Sequence, residues 1–414
     1  MSRFRAFFAT PRRWRVPRKS ECVIFGSSGS EILLNYLQSD SQILRHHDDE
    51  LNIPVWMLSI LKLRRGRIGY LKTYLELVQP RVVLTLEDND PLFYQIAVWF
   101  PKTITIAIQN GRRDHFASEA SQGFFERLTE CSQNGLAAVS HLCLFGPAVS
   151  SLYTSALTSS SVSPKIWYIG SLKNNAVEGN KSIELRRRVI YVSSLPAFST
   201  PRNTTESNDI VAYYGDRPIT YRSYWQIEST LPEILYSFAK ERGFEFHVLG
   251  KRAGRIREEK HHFDRILGVG GYHFHPARDQ AINYQIPTSR DLIVSSESTL
   301  AYEFFARGYR VGFIGARLHL AGLTHRRDCH FGFPLEIESS GQFWTSECTQ
   351  AEVFRILNFI NLCSEDAWIA ASEQLRKQLM VFDEQNGLFC ELLTEVGVRN
   401  SGPRFWHPEL IPFN

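Results

Sequence analysis

The run PRVVLTLEDNDP ends an apolar stretch on Glu87, Asp88 and Asp90. Three carboxylates at one strand end repel one another and raise each other's pKa unless a cation or a reaction uses them. A carboxylate fixed on rigid backbone can take the proton of an attacking hydroxyl, or attack an electrophilic carbon itself. Asp90 has a second reading, because it directly precedes Pro91 and is placed to cap the following helix. Asp88 is therefore the first candidate for chemistry. The next run, KTITIAIQNGRRD, ends on Gln109, Asn110, Gly111, Arg112 and Arg113. Asn-Gly is turn chemistry, and two arginines at such a turn offer planar donors to a phosphate or carboxylate.

A second group lies further along the chain. GGYHFHPARDQ ends a strand-like run on His275 and Pro276, and DLIVSSESTLAYEFFARGYRVGFIG follows it. Val294 closes an apolar run and LAYEFFA reads as helix, so Ser295, Ser296, Ser298 and Thr299 fall at a helix N-terminus. Unpaired N–H groups and the helix dipole suit a phosphate there; the plainer reading is an N-cap at Ser298 or Thr299. Glu303 lies in that helix. VIFGSSGSEIL lacks the G-x-G-x-x-G spacing of a dinucleotide loop, so Ser27 and Ser28 are expected at a tight strand-to-helix turn facing the cleft, without NAD. His46, His47, His261, His262, His325 and His330 show neither H-x-x-x-H nor H-E-x-x-H. No metal and no cofactor are expected, and DND is the one paired-carboxylate pattern that a magnesium site would use.

The elements that must carry these residues are short β-rich runs, each followed by a loop and a helical pattern. The first half gives ECVIFGSS, PRVVLTLED, KTITIAIQNG, HLCLFG and KIWYIGS; the second gives RRVIYVSS, FEFHVLGK, GYHFHP, RDLIVSSES and YRVGFIG. LKNNAVEGNKSIEL between them reads as a linker. The expected fold is α/β, with two Rossmann-like doubly wound domains facing a central cleft: a basic tail over 1–20, an acceptor and catalytic domain over 21–172, a donor domain over 186–363, and C-terminal helices over 364–414 packing back on the first domain. Ligands of such sheets bind beyond the carboxyl ends of the strands, where strand order reverses. The candidate residues all follow strands.

At 414 residues the chain is too long for one ordinary core, and 43% hydrophobic with 22% charged residues fits a globular protein. No run approaches the roughly eighteen apolar residues of a membrane span, and no secretory h-region opens the chain, so a cytoplasmic location is expected. Seven scattered cysteines (Cys22, Cys131, Cys143, Cys329, Cys348, Cys363, Cys390) without C-x-x-C fit reduced thiols. The net charge of +4 is unevenly placed: MSRFRAFFATPRRWRVPRK holds Arg3, Arg5, Arg12, Arg13, Arg15, Arg18 and Lys19 with no acid, interleaved with Phe4, Phe7, Phe8 and Trp14. Two readings stand for it, a solvated tail or a segment lying on the anionic inner membrane face. Nucleic acid is not an expected partner.

The order strand, His275-Pro276, then strand, Ser295-Ser296, helix, Glu303 and Gly308 resembles the donor half of GT-B glycosyltransferases that use CMP-activated sugars, the sialyltransferases and Kdo transferases. That resemblance implies that His275 contacts the cytidine nucleotide, Ser295 and Ser296 its phosphate, and Glu303 the ribose. LEDND with AIQNGRRD and FGFPLEIESSGQFW (331–344) resembles the LA-type surface-polysaccharide and O-antigen biosynthesis proteins first grouped from spirochaetes, over about Val82 to Trp368. Together they imply a glycosyltransferase moving an acidic sugar from a CMP donor to a glycan or lipid-linked glycan acceptor. Two alternatives are carried forward: a GT-B enzyme using a UDP-, GDP- or CDP-linked donor, or a nucleotide-sugar epimerase; and a non-catalytic glycan-assembly protein of the same fold.

Overall fold

The computed structural model describes residues 11–37, 40–45, 50–113, 123–180, 187–195, 208–214, 217–251, 253–277, 280–323 and 330–406. The first ten residues of the basic tail, with Arg3, Arg5, Phe4, Phe7 and Phe8, lie outside them, as do His46, His47, His325 and Cys329.

A short parallel pair, β1 (Arg12–Arg13) and β4 (Leu51–Asn52), lies ahead of the first large sheet. That sheet contains β2 (Cys22–Phe25), β3 (Gln42–Leu44), β5 (Val82–Thr85), β6 (Ile104–Ile108), β7 (His141–Leu144) and β8 (Lys165–Tyr168), in the order β3-β2-β5-β6-β7-β8. The second contains β9 (Arg188–Val192), β12 (Glu245–Leu249), β13 (His273–His275), β14 (Leu292–Ser295), β15 (Val311–Ile314) and β16 (Trp344–Thr345), in the order β13-β12-β9-β14-β15-β16. An antiparallel hairpin of β10 (Ile210–Tyr214) and β11 (Arg217–Thr220) is inserted after β9. Every pairing within the two large sheets is parallel.

Sequence explains this arrangement. Central strands such as CVIF, VVLT and LIVS are buried at every position. Continuous apolar runs of this kind belong to parallel strands covered on both faces by crossover helices. All ten strands read from sequence are present; β3 and β16, both at sheet edges, add to them. The first sheet reverses its order between β2 and β5, and the second between β9 and β14. These two reversals are where an α/β sheet opens a crevice. Two doubly wound Rossmann-like domains result, the GT-B architecture.

LKNNAVEGNKSIEL is more ordered than a linker at its start. Ser171 caps a helical turn over Leu172–Asn175, and Asn174 and Asn175 are fully buried. Asn174 donates to the Glu303 carbonyl at 3.1 Å and accepts from Arg307 at 2.6 Å, so its amide joins the two domains. The C-terminal chain also returns to the first domain. Val381 N–H donates to the Phe145 carbonyl (2.8 Å), Asn386 to the Tyr36 hydroxyl (2.7 Å), and Trp406 N–H to the Ala176 carbonyl (2.7 Å).

The helix Ile256–Leu267 packs His262 beneath the helix Ile227–Arg242, with Nε2 3.0 Å from the Glu228 carbonyl. Burial lowers the imidazole pKa to about 4, against the opposing effect of that hydrogen bond. Between pH 6.5 and 4 the unfolded chain therefore binds a proton that the folded chain does not, and stability falls on acidification through that window by up to roughly 3 kcal/mol. Urea titrations at stepped pH should show the slope, to which His247, also lowered to about 4 by burial, adds, and His262→Gln should reduce it; an equal slope in the variant would refute this role.

Candidate active site between the two domains

A cavity of about 470 Å³ lies between the domains. From the first domain it is lined by Asn110 and Arg112, just after β6, and by Lys173 of the interdomain turn. From the second come Ser193 and Ser194 after β9, Lys251 after β12, Glu297 to Leu300 and Glu303 after β14, and Arg317 after β15. The reversal between β9 and β14 thus sits at its floor. Four cationic side chains (Arg112, Lys173, Lys251, Arg317) face two carboxylates (Glu297, Glu303). The helix Thr299–Ala306 begins in this wall, and the Ser298 hydroxyl does not cap it.

Each lining group is held from behind. Ser295 and Ser296 are buried beneath the cavity rather than lining it: Ser295 donates to the Val192 carbonyl and accepts from Ser298 N–H, which shapes the turn. Glu228, fully buried, accepts from Tyr191 (2.7 Å), Ser194 N–H (3.1 Å) and Arg317 (3.2 Å). The Arg317 guanidinium also stacks 3.8 Å from the Trp225 ring centroid. Glu303 accepts from Ser171 and from Tyr284 (2.7 Å); burial raises its pKa, against those two hydrogen bonds. Burial lowers the Lys173 pKa, against the Glu303 and Glu31 carboxylates. Glu297 stands 3.6 Å from both Arg112 and Arg317, and its Oε1 is buried without a hydrogen-bond partner among the described residues.

Arg112 belongs to the first domain but is fixed on the second. Its N–H donates to Thr299 Oγ1 at 3.1 Å and its guanidinium reaches the His330 carbonyl at 3.5 Å. The turn that carries it is anchored by Asp88, which is 1% exposed. One Asp88 oxygen accepts from Asn110 N–H at 3.1 Å, the other from Arg113 Nε at 2.9 Å, and Arg113 Nη2 and the Tyr153 hydroxyl complete the set. Burial, with the Asp88 carboxylate beside it, holds the Tyr153 phenol well above its ordinary pKa, so it stays a donor. Asp88 therefore points into the first domain and does not line the cavity.

The other candidates separate in the same way. Asp90 caps the helix Pro91–Trp99 by accepting from Leu92 N–H at 3.0 Å and pairs with Arg67 at 2.8 Å. DND is thus divided between two partners, Arg113 for Asp88 and Arg67 for Asp90. Glu87 accepts from Ser28 N–H at 3.1 Å, and a Cβ at Gly26, whose φ is 91°, would strike its carboxylate. Ser27, Ser28 and Glu87 therefore meet at the reversal of the first sheet, outside the cavity lining. Gln109 and Arg113 line a smaller cavity with Phe333 and Pro334.

His275 requires a correction. Its strand and that of Ser295 are not neighbours, since β12 and β9 lie between them. Its Nε2 is 2.8 Å from His247 Nδ1, and its carbonyl accepts from Gly250 N–H (2.8 Å), so His275 and Pro276 support the cavity wall from outside its lining. Ligating atoms of Glu245, His247 and His273 come within 4.8 Å of one another and could hold a divalent ion. The sequence signal was E-x-H and H-x-H, a period of two that puts alternate side chains on one face of adjacent strands. Without an ion the His247 ring is already satisfied, by His275 on one side and by Glu245 at 3.3 Å on the other. Lys173, Ser193, Ser194, Trp225, Lys251, Glu297 and Arg317 were not singled out as site residues by sequence; their shared signal is position just after a strand or beside one that does.

Two doubly wound domains closing on a cationic cavity define a GT-B protein. Residues 106–396 match the family described as "putative O-antigen biosynthesis protein", and the chain belongs to that family. No curated protein matches it in sequence. Among solved structures it is similar in outline to the wall teichoic acid polymerase TagF (8% identity, 91% of this chain and 89% of that one, TM-score 0.48). It is similar also to Staphylococcus aureus MnaA, solved with UDP (10%, 94% and 100%, 0.48), and to the UDP-GlcNAc 2-epimerase of Methanocaldococcus jannaschii (9%, 91% and 99%, 0.45). At such identities and scores none of them assigns a chemistry to this chain.

Removing the buried carboxylate leaves the Arg113 charge uncompensated, so Asp88→Ala should cost about 3–5 kcal/mol in chemical denaturation. A variant of unchanged stability that loses only turnover would return Asp88 to the chemistry.

Proposed function

We propose that the chain is a glycosyltransferase of O-antigen assembly that takes a nucleotide-activated sugar into the interdomain cavity. One observation carries the reading: the crevice at the β9/β14 reversal is lined by four cations from both domains and by the start of a helix. Arg112, Arg317 and the N–H groups of Thr299 and Leu300 would receive the phosphates and stabilise the charge that develops as the nucleotide departs. Lys173 and Lys251 flank them.

A nucleoside diphosphate donor is favoured over CMP. Four cations suit two phosphates, and the histidine that the CMP-sugar resemblance assigns to cytidine does not line the cavity. A CMP-linked acidic sugar is the second reading, since its carboxylate would supply the other anion. Glu297 is the proposed general base toward the acceptor hydroxyl, because its Oε1 is uncommitted and the cavity wall includes it. Asp88 acts here as a positioning residue, through Asn110 and Arg113.

Thermal shift against UDP, GDP, CDP and CMP tests the donor, since a ligand of the folded state raises stability by mass action. The nucleoside diphosphates should shift the midpoint more than CMP; no shift with any of them would overturn the reading. Glu297→Gln should keep the nucleotide shift and lower transfer by roughly a hundredfold to ten-thousandfold. Unchanged transfer would remove Glu297 from the chemistry.

A further inference from the structure

Fifteen large hydrophobic side chains are exposed among the described residues, and eight of them fall between Trp14 and Ile68. The helix Ile53–Leu61 explains the concentration. Ile53, Val55 and Ser59 face the core, while Trp56, Met57, Ile60 and Leu61 stand outward at the spacing of one helical face. Leu61 is 78% and Leu63 85% exposed, and Leu63 adopts a left-handed backbone (φ 56°) at the helix end. The segment 11–15 is fastened beside the start of this helix: β1 pairs with β4, and Asn52 donates to the Arg15 carbonyl at 2.8 Å. Trp14 and Val16 are thereby added to the same region, 70% and 61% exposed.

Charge is distributed as selectively as apolar area. Residues 53–68 contain Lys62, Arg64, Arg65 and Arg67 and no acid, and residues 11–19 contain Arg12, Arg13, Arg15, Arg18 and Lys19 and no acid. Three acids enter as partners: Glu50 to Arg13 (2.6 Å), Glu76 to Lys62 and Arg64, and Asp90 to Arg67 (2.8 Å). A protein partner would ordinarily meet an apolar patch with a rim of both signs. Exposed tryptophan, methionine and leucine bordered by nine cations against three acids match the headgroup region of an anionic bilayer, where apolar tips enter the acyl boundary and basic side chains meet lipid phosphates.

We infer that the outward face of the helix Ile53–Leu61, with Trp14 and the surrounding arginines, docks the protein on an anionic membrane surface. This goes beyond the proposed activity and does not depend on it. The surface is made by residues 12–68 and so is distinct from residues 1–10.

Sedimentation of the full chain with vesicles of phosphatidylcholine, with and without phosphatidylglycerol, tests it. Binding should require the anionic lipid and weaken with salt. Met57→Glu/Leu61→Glu, both at exposed positions, should keep the wild-type thermal midpoint and bind about tenfold more weakly or worse. A chain lacking residues 1–10 should retain binding that this double substitution removes. Binding that is absent, that is equal on neutral vesicles, that survives the double substitution, or that disappears with residues 1–10 alone would overturn the inference. So would a wild-type chain that self-associates where the double variant is monomeric, because a second copy would then cover this face.

Discussion

The geometry of the cleft depends on a carboxylate that is itself out of the cleft. Burying Asp88 is costly unless every lone pair is used, and Arg113, Tyr153 and the Asn110 N–H use them. The same four contacts set the path of the turn after β6. Along that path the Arg112 N–H reaches Thr299 at the first turn of a helix in the other domain. One desolvated charge thus registers one sheet against the other.

The second domain uses the same device, a buried carboxylate paired with an arginine. Glu228 is fully buried beneath Tyr191, Ser194, Ser296 and Arg317, and it orients the turns after β9, β14 and β15 together. Glu259 does so for the turn after β12, accepting from Ser193 and from Lys251 N–H. The Arg317 guanidinium and the Lys251 backbone are therefore fixed by acids behind the cavity wall. Preorganisation of this kind costs nothing at the moment of reaction.

Strands whose every residue is buried announce themselves as unbroken apolar runs, and those were legible in the sequence. β3 and β16 were not: Gln42–Leu44 and Trp344–Thr345 are two or three residues long, partly exposed, and lack that run. The candidate site was legible only as far as the rule that ligands meet strand ends. Asn110, Arg112, Ser298, Thr299 and Glu303 do line the cavity. His275, Ser295 and Ser296 do not, because sequence order does not reveal strand order, and because residues at the end of a strand can turn inward. Glu297 stood in plain view between those serines and Ser298. What distinguishes it is the approach of Arg112 and Arg317, which only the folded chain creates.

Tyr36 sits in the first helix of the first domain, yet its hydroxyl and carbonyl are met by Asn386 and Ser401, and its ring by Phe389. During synthesis Asn386 emerges 350 residues after Tyr36. The inner helix of the first domain stays uncovered until then, and contacts of such sequence separation are slow to form. The C-terminal strap therefore ties the completion of the first domain to synthesis of the second: without Asn386, Phe389 and Ser401, the older domain is the one left unfinished.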